Sequence, residues 1–155
     1  MKNPSIASLW KAFVEDHPEY LNVPEPPAGY FGATEEVANT CAQLAQNGQK
    51  KCTSHSLIGL QQRGEPLPKI GDLNIVTDFN GYAHCIIRTT KVRLKPFFSI
   101  SPEYARLEGE GDGSLEYWKR VHWEYYTQEL EPFGKVPRES MIVVCEEFET
   151  IYERP

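Results

Sequence analysis

Lys50 and Thr53 are the first residues in this sequence whose types and spacing suggest chemistry. They lie three positions apart, where a helical pattern stops just before Gly48 and a strand-like pattern begins. A threonine hydroxyl is a nucleophile once it loses its proton, and a lysine whose pKa is lowered by burial can accept that proton. The spacing Gly-x-Lys-x-x-Thr is common by chance. It indicates a functional site only if other features of the chain support one.

A helix should deliver the chain to this segment. Thr34 is a suitable N-cap, with acidic residues in the first turn, and the apolar face that follows leads into Gly48, which can end a helix in the left-handed conformation. Residues three apart on a regular strand point to opposite faces. We therefore expect a bulge or an irregular turn after Gly48 if Lys50 and Thr53 share a cleft.

The start of the chain predicts a helix followed by a proline-rich loop. Apolar residues at helical spacing favour a helix at about 5–17, capped by Ser5. The loop at about 20–32 is rich in proline and ends in Tyr30 and Phe31, which are large for a solvated loop. We expect both aromatic side chains to pack on the body of the domain and to line the same cleft as Lys50.

The remainder of the chain predicts strands and helices without regular alternation. Strands are indicated at 73–78, 82–94 and 141–151, with Asn80-Gly81 as a hairpin turn, and helices at 102–107 and 114–126. Residues 57–63 fit neither pattern clearly. This order favours an α+β domain with a small, mainly antiparallel sheet or barrel.

Composition narrows the class of protein. The 155 residues suit one domain spanning 1–155. The net charge of -6 argues against extended non-specific binding to nucleic acid, because that binding depends on lysine and arginine neutralising phosphates. A small nucleoside or a short RNA remains a suitable partner. No segment resembles a signal peptide, and no apolar run approaches the ~20 residues that span a bilayer. We expect a cytoplasmic protein that does not engage membranes.

The cysteines and histidines do not indicate a metal site. The four cysteines are scattered along the chain, and we interpret them as reduced, buried residues. No His/Asp/Glu cluster has the spacing of metal ligands. The sequence therefore predicts no metal and no cofactor.

Several segments together resemble a known family. The chain from about Ser5 to Tyr152 closely resembles bacterial ASCH-domain proteins of the YhfF type, which belong to the PUA-like superfamily. The resemblance rests on these motifs: Gly48-x-Lys50-x-x-Thr53, Gly64-Glu65-Pro66-Leu67-Pro68-x-x-Gly71-Asp72, Glu108-Gly109-Glu110-Gly111-Asp112-x-Ser114-Leu115-x-x-Trp118, His122-Trp123 and Met141-Ile142-Val143-Val144-Cys145-Glu146-x-Phe148. It implies a small, mainly antiparallel β-barrel with flanking helices.

The resemblance also implies an activity. Members of the superfamily are associated with RNA and modified nucleosides, and some small ASCH proteins resemble amidohydrolases that deacetylate N4-acetylcytidine with a Lys-x-x-Thr pair and a downstream glutamate. Others are connected with ribonuclease action. Lys50 and Thr53 match the pair, and Glu108 is the matching glutamate, with Glu110 as the alternative. Many ASCH domains carry a glutamate and an arginine after the lysine, where this chain has Thr53 and His55.

Two hypotheses of different class follow. In the first, the protein is a hydrolase acting on an acylated nucleoside or on RNA, with Lys50, Thr53 and Glu108 as catalytic residues. In the second, it is a non-catalytic PUA-like module that binds a nucleotide or RNA. Trp123 lies off the apolar face of its helix and is the aromatic side chain nominated to stack on a base. The substrate-binding set comprises Tyr30, Phe31, His55, Glu110 and Trp123.

Overall fold

The computed structural model describes residues 2–154. Within this range the helices are α1 (Pro4–Asp16), α2 (Glu35–Gln46), α3 (Leu57–Arg63), α4 (Pro102–Glu108) and α5 (Leu115–Leu130). The strands are β1 (Ala28–Gly29), β2 (Cys52–Ser56), β3 (Leu73–Thr77), β4 (Ala83–Pro96) and β5 (Ile142–Glu153). Short 3₁₀ turns occupy Pro18–Tyr20, Phe97–Ser99 and Glu131–Phe133. The α+β class predicted from the sequence is confirmed.

The strands form one open sheet in the order β1-β3-β4-β5-β2. The β3–β4 and β2–β5 pairs are antiparallel, whereas β1 pairs in parallel with β3. Closing a sheet into a barrel requires its two edge strands to pair with each other. Among residues 2–154 the edge strands β1 and β2 do not pair, and β1 has only two residues. The predicted β-barrel is therefore wrong, although the predicted mainly antiparallel pairing is confirmed.

The chain divides into two compact units. Of the described residues, the first comprises 2–48, 73–88 and 149–154. Its core packs one face of α1 against strands β3 and β4: Ile6, Leu9, Phe13, Ile75, Ala83 and Ile86. The Asn3 side chain caps α1 by accepting the backbone N–H of Ser5. The expected cap, Ser5, instead lies in the first turn, and its hydroxyl accepts the backbone N–H of Ala83.

The second unit comprises 49–72 and 89–148. Its core gathers α4, α5 and the start of β5: Phe97, Ile100, Ala105, Trp118, Tyr126, Leu130, Met141, Val143 and Cys145. Serine side chains cap the helices, since Ser56, Ser101 and Ser114 accept backbone N–H groups at the starts of α3, α4 and α5. These caps satisfy donors that have no partner within the helix and fix where each helix begins.

Residues 57–63, which the sequence left ambiguous, form helix α3. The Ser56 hydroxyl caps this helix, and Gly64 ends it in the left-handed conformation at φ 67°. Local capping therefore decides an element whose hydrophobic pattern is too short to do so. The four cysteines are free and buried, as predicted. None of the helices in the described part of the chain is long and apolar enough to cross a membrane.

Candidate active site around Lys50

A buried lysine belongs to the second unit. Lys50 is 1% exposed, and its Nζ atom lies 3.0 Å from Glu108 Oε2 and 2.8 Å from Glu110 Oε2. Burying a charge in a protein costs free energy unless it is paired and hydrogen bonded. Two carboxylates satisfy that requirement here, so the segment after Gly48 turns Lys50 inward instead of exposing it to solvent.

Glu108 connects Lys50 to several other side chains. Its Oε2 atom accepts from Lys50, while its Oε1 atom accepts from the Ser54 hydroxyl and from Trp118 Nε1 at 2.9 Å. His122 Nε2 lies 3.3 Å from the same Oε1 atom. Burial alone raises the pKa of a carboxyl group, but the charges of Lys50 and His122 outweigh it and hold the pKa of Glu108 well below its usual range. Glu108 is therefore a fixed carboxylate.

His122 contributes the second positive charge. Its Nδ1 atom donates to the Trp118 carbonyl at 2.8 Å, and its ring stacks on the Trp118 indole with centroids 4.0 Å apart. Burial lowers the pKa of an imidazole, but the charge of Glu108, its hydrogen bond and the charge of Glu110 together raise the pKa of His122 above its usual value. The cluster thus balances two cations with two carboxylates.

Ser54 and Tyr104 complete the cluster on the side of β2. The Ser54 hydroxyl, which donates to Glu108, also lies 3.0 Å from Tyr104 Oη. Tyr104 Oη donates to the Thr53 carbonyl at 2.9 Å. These contacts tie strand β2 to helix α4, which ends at Glu108.

A glycine-rich segment brings both carboxylates to Lys50. Gly109 ends α4 in the left-handed conformation at φ 72°, and a Cβ atom there would lie 2.8 Å from the Gln49 carbonyl oxygen. The backbone N–H of Lys51 donates to the Leu107 carbonyl at 2.8 Å, which holds the two segments together. Only a residue without a side chain allows this close approach and lets the chain turn between Glu108 and Glu110.

The structure joins three of the predicted site residues in one cluster. Lys50, Glu108 and Glu110 form the cluster. Thr53 contacts it through its carbonyl group, and within the described residues its hydroxyl makes no hydrogen bond. Because side chains alternate along a strand, Ser54 points to the cluster and Thr53 to the opposite face of β2.

The predicted aromatic side chains and His55 make other contacts. Tyr30 and Phe31 belong to the first unit, where Tyr30 is exposed and its ring lies 5.2 Å from that of Phe79. Trp123 packs edge-on against Phe97 with centroids 5.4 Å apart, beside a surface cavity of about 320 Å³. His55 lies on the Thr53 face of β2, where its Nε2 atom pairs with Glu146.

Sequence reasoning missed Ser54, Tyr104, Trp118 and His122 as members of this cluster. A signal for Trp118 and His122 was present, because residues four apart on a helix lie on one face. The helical spacing of residues 115–126 assigns both side chains to the apolar face of α5, which is the ordinary interpretation of that pattern. Strand alternation carried the signal for Ser54, since it excludes two neighbouring residues from the same face. No group of three His, Cys, Asp or Glu side chains suited to a metal ion occurs within residues 2–154.

Comparisons with known proteins identify the family. Residues 27–152 match the model of the ASCH domain. The crystal structure of an ASCH domain from Lactobacillus crispatus is 30% identical over 98% of this chain and 97% of that chain, with a TM-score of 0.91. A protein structure from Enterococcus faecalis is 31% identical over 97% of this chain and 90% of that chain, with a TM-score of 0.88. No curated protein matches significantly. The family match covers most of the sequence, and the chain therefore belongs to the ASCH domain family.

Proposed function

We propose that this protein is a small hydrolase that cleaves the amide of an acylated nucleoside, with N4-acetylcytidine as the first substrate to test. The observation that carries the proposal is Lys50, a 1% exposed ammonium group held between Glu108 and Glu110. Networks of buried charges with shifted pKa values concentrate at functional sites, because charged groups are costly to bury for structure alone.

Lys50 is suited to act on the carbonyl group of the substrate. Its ammonium group is a hydrogen-bond donor held in a water-poor environment, where a donor stabilises a developing oxyanion more strongly than it does in water. Glu108 fixes the position of Nζ from one side. This arrangement favours Lys50 as the group that stabilises the oxyanion, instead of the base that the sequence suggested.

The two carboxylates are suited to different roles. Glu108 accepts from Lys50, Ser54 and Trp118, and its pKa is held low, so it is a poor proton donor. Glu110 is 17% exposed, against 2% for Glu108, and is the more accessible of the two from solvent. We assign proton transfer to Glu110 and the positioning of Lys50 to Glu108.

The proposed reaction proceeds in two steps. The acyl oxygen displaces Glu110 from Lys50, and Glu110 takes a proton from a water molecule whose oxygen bonds to the acyl carbon. Lys50 stabilises the resulting oxyanion. The carbon–nitrogen bond then breaks as Glu110 returns the proton to the exocyclic nitrogen, which releases cytidine and acetic acid, and the acid ionises to acetate.

Thr53 is not the nucleophile in this proposal. The resemblance to other ASCH proteins puts Thr53 forward as a nucleophile, but Ser54 is the hydroxyl that contacts Glu108. Since the Ser54 hydroxyl donates to a carboxylate that stays ionised, we assign it the positioning of Glu108. A water molecule is the nucleophile in this mechanism.

A non-catalytic binding module is the second candidate. The near-complete burial of Lys50 favours it, because a lysine that never meets a ligand can still organise a binding site from within. A binder requires cytidine or N4-acetylcytidine to bind without turnover. Under this alternative, Glu110→Gln changes the affinity for the nucleoside, and the wild type and all variants release no acetate.

The test is release of acetate from N4-acetylcytidine by the wild-type protein and by Lys50→Ala, Glu110→Gln and Thr53→Val. Losing one preorganised oxyanion donor costs about 10²–10³-fold in rate, and losing a general acid–base group costs about 10²–10⁴-fold. We expect losses of this size for the first two variants and less than about tenfold for Thr53→Val.

Lys51→Ala is the matched control. Lys51 is the exposed neighbour of Lys50, so this substitution removes the same charge from the surface. Its activity should equal that of the wild type. Absence of acetate release by the wild-type protein would exclude this substrate. If Thr53→Val lowers the rate of acetate release as much as Lys50→Ala does, Thr53 is a catalytic residue.

A further inference from the structure

A second group of buried polar side chains lies on the other face of β2. His55 Nε2 is 2.8 Å from Glu146 Oε1, and Thr89 Oγ1 donates to Glu146 Oε2 at 2.5 Å. Glu146 is 5% exposed, whereas the His55 side chain is 32% exposed. The three residues come from three adjacent strands, β2, β5 and β4. We call this group the His55 dyad, meaning His55 and Glu146 with Thr89 as support.

The contacts of the His55 dyad fix which ring nitrogen is available. A carboxylate only accepts hydrogen bonds, so the Nε2 atom of His55 carries the proton and Nδ1 of the neutral ring has a lone pair. Within the described residues, Nδ1 makes no hydrogen bond. Both oxygens of Glu146 are occupied, one by Thr89 and one by His55. The arrangement orients a partly exposed imidazole through a buried carboxylate, as in hydrolytic enzymes that use histidine as a base.

Glu146 stays ionised in this environment. Burial alone raises the pKa of a carboxyl group, but the hydrogen bonds from His55 and Thr89 and the charge of His55 outweigh it and lower the pKa of Glu146. An ionised carboxylate holds the Nε2–H tautomer and stabilises the imidazolium that forms when Nδ1 takes a proton.

Thr53 supplies a neighbouring polar group. It lies two residues before His55 and opposite Glu146 in the β2–β5 pair, so its side chain shares the face of the His55 dyad. Two residues along a strand span about 6.7 Å, so the Thr53 and His55 side chains are neighbours on this face. The Thr53 hydroxyl is not engaged by any described residue and is available to position a water molecule or a small carbonyl group.

We propose that the His55 dyad is a second hydrolytic site, in which His55 activates water to cleave a small ester. His55 Nδ1 takes a proton from the water molecule as the water oxygen bonds to the acyl carbon. The carbon–oxygen bond to the leaving group then breaks, and Nδ1–H returns the proton to the departing oxygen. The products are a carboxylic acid and an alcohol, and no co-reactant other than water is needed.

This site is independent of the amide hydrolysis proposed for Lys50. Ser54 contacts the Lys50 cluster, while Thr53 and His55 face the opposite way along the same strand. A protein that cleaves esters but not N4-acetylcytidine would support the His55 dyad and exclude the substrate proposed above. A protein that cleaves N4-acetylcytidine but not esters would support the Lys50 site and exclude the His55 dyad as a hydrolytic site.

The test is hydrolysis of p-nitrophenyl acetate by the full chain, compared with free imidazole at the same concentration and pH. General-base catalysis by a positioned group contributes about 10²–10⁴-fold. We expect the wild-type rate to exceed that of imidazole by at least about tenfold, and His55→Gln to lower the rate to the level of imidazole or below. His17→Gln removes a histidine whose side chain is 42% exposed and lies outside the His55 dyad, and it should leave the rate unchanged.

Two further variants separate chemistry from structure. In His55→Ala, added imidazole should restore part of the rate, because the free base can occupy the space beside Glu146. In the double variant His55→Ala/Glu146→Gln this rescue should weaken, since no carboxylate then orients the imidazole. A wild-type rate no higher than that of imidazole, a rate unaffected by His55→Gln, or no rescue in a folded His55→Ala would overturn the proposal.

Discussion

Lys50 Nζ lies 3.0 Å from Glu108 Oε2, and both side chains are at most 2% exposed. A buried ion pair is costly to form, because both charges lose their hydration, and removing one partner leaves the other charge unpaired. The pair therefore links function to folding. Variants of either residue need a stability measurement beside any activity measurement.

Lys50→Met should destabilise the protein strongly. It leaves Glu108 as a buried carboxylate without its main cation, and breaking such a pair costs about 3–5 kcal/mol. Chemical denaturation monitored by circular dichroism gives the free energy of unfolding. The control is Lys51→Met, which removes an exposed charge and should change stability by less than about 0.5 kcal/mol. Equal stability of the two variants would contradict the ion-pair geometry.

Glu108→Gln and Glu110→Gln should separate positioning from proton transfer. Glu108 accepts from Lys50, Ser54 and Trp118, so its amide variant disturbs a satisfied network and should lower the unfolding free energy by more than about 2 kcal/mol. Glu110 is partly exposed, so Glu110→Gln should lower the unfolding free energy by less. If Glu110 transfers the proton, its variant loses activity at nearly normal stability. Larger destabilisation by Glu110→Gln than by Glu108→Gln would assign the positioning of Lys50 to Glu110 and proton transfer to Glu108.

His122 should make stability depend on pH. Its pKa in the folded protein is raised above the ordinary value of 6.5, mainly because the Glu108 charge outweighs burial. The folded state therefore binds the proton more tightly than the unfolded state. The stability that this proton contributes is complete below pH 6.5 and is lost as the pH rises through the folded value.

The measurement is the unfolding free energy from pH 5.5 to 9 for the wild type and His122→Gln, with about 1.4 kcal/mol expected per unit of pKa shift. The wild type should lose stability toward alkaline pH, and the variant should show a flatter curve. His17→Gln removes a half-buried histidine outside the cluster and should keep the slope of the wild type. The same slope in His122→Gln would exclude His122 as the titrating group.

The sequence predicted the α+β class, the hairpin at Asn80-Gly81 and the N-cap Thr34, because these features depend on local chemistry. It also singled out Lys50 and Glu108 through a family pattern. It could not predict that the sheet stays open, because edge pairing depends on contacts between distant segments. Strand alternation separates Ser54 from Thr53, but which face of β2 meets helix α4 depends on contacts between distant segments, as in the contact of Ser54 with Tyr104.

Gly109→Ala should be more damaging than the same change at another left-handed glycine. Gly109 and Gly134 have nearly equal φ values of 72° and 68°, so an alanine costs about 1–2 kcal/mol of backbone strain at either position. At Gly109 the new Cβ atom would also lie 2.8 Å from the Gln49 carbonyl, whereas at Gly134 no atom lies within 4 Å.

The difference between the two alanine variants measures the steric contact alone, since the backbone strain is shared. We expect Gly109→Ala to unfold at lower denaturant concentration than Gly134→Ala and to lose acetate release, because the displaced backbone moves Glu108 and Glu110 away from Lys50. Gly134→Ala should lose stability but keep its activity per folded molecule. If both variants keep full activity, the close approach of Gly109 to Gln49 is not what positions the carboxylates.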